Sequence, residues 1–155
     1  MTLRGWIGIL LVCLSPLVAS AQSRIVPPAN EQYVPRLGDI MNTAQSRHMK
    51  LWFAGKARNW KLANYELRQL KASLVEAASL YPDLPVTSVT TMATPVEAVG
   101  EAIVAGDGAR FAKTFGELTT ACNGCHQSIA RGFIVMRVPE ASPFGNQVFP
   151  PRGKP

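Results

Sequence analysis

Histidine and cysteine are scarce in this chain of 155 residues, which holds two of the first and three of the second. The scarcity excludes several site types at once. A structural zinc cage needs four ligands, and no second Cys/His pair stands beside Cys122 and Cys125. A disulfide framework is excluded too, because Cys13 lies in an apolar N-terminal run and the other two cysteines share one motif; a single disulfide between those two is an alternative, one that leaves His126 without a role. Charged residues make up 17% of the chain. The basic ones (Arg47, Lys50, Lys56, Arg58, Lys61, Arg68, Lys71, Arg110, Lys113) are scattered, with no dense run interleaved with aromatics. That pattern argues against nucleic acid. Asp39, Glu66, Glu76 and Glu97 stand in no paired context, so there is no acid/base constellation, no nucleophile set, and no enzyme is expected. Neither an internal repeat nor a βαβ pattern is present, and the latter counts against a thioredoxin-like cysteine pair.

What is present begins with a leader. Thr2-Leu3-Arg4 gives a positive start, and Gly5 to Val18 is nearly all apolar. Pro16 breaks the run, and Ala19-Ser20-Ala21 has the small-x-small form of a cleavage site. Residues 1–21 therefore read as a secretory signal peptide, and an uncleaved anchor is the alternative. The run is short for a membrane span, so the mature chain is not expected to span a membrane. Cleavage removes Cys13 and Arg4 and lowers the formal charge from +6 to +5. The expected compartment is the periplasm. Residues 22–33, with Pro27 and Pro28, read as an extended lead-in.

The chemistry is concentrated in Cys122-Asn123-Gly124-Cys125-His126, the c-type haem attachment signature. Two thiols can add to the two vinyl groups of a haem and become thioethers. The adjacent histidine then lies under the iron as a proximal ligand. On a helix, residues 122 and 125 share a face one turn apart, so one helix suffices to carry the site. Haem c, one and covalent, is the expected cofactor.

The rest of the chain reads as helices. Leu37, Ile40, Met41, Ala44, His48, Leu51 and Trp52 fall at helical spacing, with Gly55 ending the run. Asn59 is a good N-cap for a second helix with Trp60, Ala63, Leu67, Leu70 and Leu74 inward, stopped by Pro82. Pro82 to Ala93 reads as a connection. Thr94-Pro95-Val96-Glu97 reads as a capping box opening a short third helix over 95–105. Asp107 caps the fourth, whose apolar residues Phe111, Phe115, Leu118, Cys122, Cys125 and Ile129 step by 4, 3, 4, 3 and 4 and which is expected to end near Gly132. The haem cysteines thus fall on its core face. The expected fold is an all-α antiparallel four-helix bundle over residues 34–132, with the haem motif on the last helix. The tail, 133–155, opens with Phe133-Ile134-Val135-Met136, too apolar to hang free, and is expected to fold over the haem end.

Four helices with a haem motif near the C-terminus resemble the class II c-type cytochromes, the family of cytochrome c′ and its low-spin relatives. Cys122, Cys125 and His126 match that family's motif; elsewhere the likeness is architectural, and the tail is longer than the family usually carries. Arg47 through Trp60 also resembles a group of small exported cytochromes that brings no activity with it. The resemblance implies pairing of two copies through helix faces.

In an up-and-down bundle the level facing His126 is that of Met41, and low-spin relatives likewise draw a methionine from helix 1. Met41 is therefore the candidate distal ligand, an ordinary core methionine being the alternative. His48 is the rival, on the same face but about 10 Å deeper at 1.5 Å per residue. Met49 lies off the core face, and Met136 in the tail is a further candidate. Two functions follow. One is electron transfer with a redox partner protein. The other is a five-coordinate haem, as in cytochrome c′, that binds NO or CO as a small gaseous ligand. A peroxidase-like enzyme would need His48 as distal base, against which its depth argues.

Overall fold

Apolar residues every third or fourth position build four α-helices: α1 (Leu37–Lys56), α2 (Trp60–Leu80), α3 (Val86–Ala105) and α4 (Gly108–Ser128). The computed structural model describes residues 33–84 and 86–151, with no side-chain description for 86–91. The expected leader over 1–21, and all of the lead-in but its last residue, lie outside the described residues. The helices pack as a four-helix bundle, and no strand occurs among the described residues. No helix there is long and apolar enough to cross a membrane.

The helix ends follow from local chemistry. Asn59 caps α2, its Oδ1 accepting from Leu62 N at 3.2 Å. Asp107 caps α4, its Oδ1 accepting from Ala109 N and Arg110 N at 3.0 Å each. Helices α1, α3 and α4 close with the paired Schellman hydrogen bonds. In α1 these are Arg58 N to Gly55 O and Asn59 N to Ala54 O. In α3 they are Gly106 N to Ile103 O and Asp107 N to Ala102 O. In α4 they are Ala130 N to Gln127 O and Arg131 N to His126 O. The residue at the left-handed position is Gly106 in α3, but Arg58 and Ala130 in the others. A non-glycine residue there costs about 1–2 kcal/mol, so packing beyond the turn must hold it.

Three boundaries differ from the sequence expectation. The third helix starts at Val86, not at Pro95, and runs through the proline. An internal proline forfeits one backbone bond, a loss of about 3 kcal/mol. Met92 opposes that loss: it is buried one turn before Val96 on the same face. The fourth helix stops at Ser128, short of Gly132, because Ala130 takes the reversing conformation. Gly55 lies inside α1. Its lack of a side chain admits the Phe111 ring, with which a Cβ would collide.

The core divides along the bundle axis. At one end the rings of Trp52, Trp60, Phe111 and Phe115 pack at centroid separations of 4.9–6.1 Å. Phe53 and Phe149 extend that cluster at 5.6 Å. Residues of α1 and α4 pair there in opposite numerical order: His48 and Trp52 with Phe115, Trp52 and Gly55 with Phe111. Gly55→Ala should therefore push the ring out of register and lower unfolding free energy by about 1–3 kcal/mol, read as a lower urea midpoint at unchanged slope.

Candidate functional site

Where the aromatic half ends, the bundle opens into a cavity of about 400 Å³. Its wall takes Leu37, Met41 and Ala44 from the start of α1 and Leu70, Leu74 and Ala77 from the end of α2. Met92 of α3, Cys122, Cys125 and His126 at the end of α4 and Ile129 just beyond it also line it, and Asn42, Gln45 and Arg131 add polar groups. The wall is mostly aliphatic, so a large apolar group fits it better than a polar substrate. The structure thus brings Cys122, Cys125, His126, Met41 and His48 to one cavity, together with Met136 of the tail.

Cys122 and Cys125 are free thiols, half-buried and one helical turn apart. Burial, with the neighbouring Cys125, pushes the Cys122 thiol up to about 11, and burial also raises Cys125. Both stay protonated at neutral pH. A dithiol built for disulfide exchange lowers a thiol instead, so this pair is poorly suited to redox exchange of its own.

His126 has one ring nitrogen engaged. Nδ1 lies 2.8 Å from Ile134 O. A carbonyl only accepts, so Nδ1 carries a proton, and in the neutral ring the lone pair is on Nε2. This is the arrangement that orients metal-bound histidines. The tail is held to the same turn by a second clamp. Asn123, inside the motif, accepts from Met136 N at 2.7 Å and donates to Met136 O at 2.9 Å. Sequence reasoning missed both contacts. The one available signal was an asparagine, a poor helix former, between the two cysteines.

His48 is the second imidazole of the cavity and is 2% exposed. Its Nε2 lies 2.9 Å from Thr119 Oγ1. The Thr119 hydroxyl donates its own proton to Phe115 O at 2.9 Å, so His48 Nε2 must be the donor to it. Nδ1 is left as a buried acceptor without a partner. Burial lowers the His48 pKa from 6.5 to about 4. The sign follows: the unfolded chain takes up the proton first as pH falls, so stability present above pH 6.5 is lost as pH falls through about 4. The full loss is about 3 kcal/mol. Urea unfolding across that window should show it, and His48→Gln should flatten the curve there.

Among the described residues no cluster of three or more His, Cys, Asp or Glu side chains could hold a metal ion unaided. Met41 is half-buried on the cavity wall. Comparison with family models, curated proteins and solved structures returns no match.

Proposed function

We propose that this chain is an exported monohaem c-type cytochrome of the class II type, an electron carrier of the periplasm. Haem would be bonded through Cys122 and Cys125, with His126 Nε2 on the iron. The observation that carries this reading is the His126 Nδ1–Ile134 O bond. It fixes the tautomer that leaves Nε2 free, in a residue that lines an aliphatic cavity beside two neighbouring thiols. When bound, haem supplies a one-electron iron(III)/iron(II) couple whose potential the axial ligands and burial tune.

Met41 is the residue proposed for the opposite side of the iron. His48 is level with Thr119. From Thr119 to His126 is seven residues along α4, and from His48 back to Met41 is seven along α1. The two helices pair in opposite order, so Met41 falls level with His126, and His48 lies about 10 Å deeper at 1.5 Å per residue. A thioether opposite histidine favours a low-spin, high-potential carrier.

The test is an absorption spectrum of the protein purified from a strain able to attach haem. The reading expects a c-type spectrum that switches reversibly between an oxidised and a reduced form. A colourless protein from such a strain contradicts it.

A further inference from the structure

The segment after α4 presents two different faces. Ile134 and Met136 line the cavity. Phe133 and Val135, one residue away on either side of Ile134, are 78% and 74% exposed. The chain turns at Gly132 and Phe133, where Ile134 N donates to Arg131 O at 2.9 Å, and this turn leaves Phe133 outside while Ile134 reaches the cavity. The segment is anchored at two places, the Ile134 carbonyl on His126 and the Asn123 clamp on Met136. Two large apolar side chains are thus fixed in solvent, where burial in the fold gains nothing from them. The carbonyl that holds His126 belongs to the peptide joining Ile134 to Val135, so whatever covers Val135 sits on the backbone bonded to the candidate iron ligand.

Along the chain the charge beside these residues is basic. From Leu118 to Pro139 the chain carries Arg131 and Arg137 and no acidic residue. The nearest acid downstream, Glu140, pairs with Arg137 at 3.4 Å, with both side chains more than three-quarters exposed. Such a pair is weak and readily exchanged for another carboxylate. A second copy of this chain would set arginine against arginine in a protein of net positive charge. An acidic surface with an apolar centre fits.

From this geometry we infer that Phe133 and Val135, flanked by Arg131 and Arg137, form the docking and electron-exchange surface for an acidic protein carrying a one-electron redox centre. The inference rests on the haem reading of the site. One electron crosses at this surface. As it does so the partner's centre is oxidised and iron(III) becomes iron(II), or the reverse, with no bond made or broken. The apolar pair excludes water at the contact, and the arginines steer the approach.

The test uses the full-length holoprotein on a gold electrode bearing a mixed carboxylate- and methyl-terminated monolayer. Interfacial electron-transfer rates at low ionic strength are compared for the wild type, the Arg137→Glu variant, the Phe133→Ser/Val135→Ser double variant and the Lys71→Glu variant. Lys71 is an exposed residue of α2 and serves as the charge control. The first two variants should lose about tenfold in rate, with absorption spectrum and midpoint potential unchanged, while Lys71→Glu keeps the wild-type rate. Equal rates in all four proteins, or an equal loss in Lys71→Glu, overturn the assignment while leaving the haem reading intact. A wild type with no redox wave and no haem absorption overturns both.

Discussion

Replacing Met41 with leucine is expected to convert a low-spin haem protein into a high-spin, five-coordinate one that binds CO when reduced. Leucine nearly matches methionine in volume, so the wall shared with Leu37, Leu74 and Ile129 should stay filled at less than about 1.5 kcal/mol. Only the sulfur is lost. If the thioether is the sixth ligand, the weak far-red band of methionine-ligated ferric haem disappears almost completely, and the reduced spectrum shifts with CO. The wild type should show the band and no CO shift. A leucine variant that stays low-spin would move the ligand to His48, whose buried Nδ1 lone pair has no partner, or to Met136, which lines the same wall. A wild type that is already high-spin and binds CO fully would make NO or CO binding the function instead.

The second large effect concerns stability. Arg47 of α1 donates to Glu66 of α2 at 3.2 Å, and the Glu66 side chain is 2% exposed. Removing the arginine leaves a carboxylate buried without its cation. Breaking a buried pair in this way costs about 3–5 kcal/mol, and the partial exposure of Arg47 places the expected loss for Arg47→Leu at the lower end, about 3 kcal/mol. Replacing both partners removes the stranded charge. The Arg47→Leu/Glu66→Leu variant should therefore recover most of the loss, in clear departure from additivity. Urea unfolding of the wild type, the two single variants and the double variant measures the coupling. A double variant as unstable as the sum of the singles would show that Glu66 contributes through packing and not through its charge.

The fold was legible where sequence signals are local. Helical spacing marked all four helices, and Asn59 and Asp107 cap as their side chains lead one to expect. It was less legible where tertiary packing outweighs a local signal. Thr94-Pro95-Val96-Glu97 has the form of a helix start, yet α3 begins nine residues before Pro95 and buries Met92 on the face it shares with Val96. Gly55 has the form of a helix stop. It lies within α1 instead, where the absence of a side chain admits Phe111.

The candidate site divides in the same way. Cys122, Cys125 and His126 were readable because their chemistry lies in adjacent residues. The place of Met41 on the cavity wall was readable from its face and level. The contacts that set the histidine tautomers were not. His126 is oriented by a backbone carbonyl beyond a chain reversal at Ala130, where no glycine announces the turn. His48 is oriented by Thr119, on another helix. Tail contacts are of the same kind: Asn59 Nδ2 donates to Phe149 O at 3.0 Å while its Oδ1 caps α2, so one residue serves a local and a distant purpose.

The most direct test of the central claim is the intact mass of the exported, denatured protein, followed by the mass of the peptide that spans Cys122 to His126. Covalent attachment predicts that this peptide carries the mass of one haem, that neither cysteine reacts with a thiol reagent, and that Cys122→Ala/Cys125→Ala abolishes the adduct. Two free thiols at Cys122 and Cys125, in protein exported by a strain that attaches haem to other cytochromes, would contradict the account.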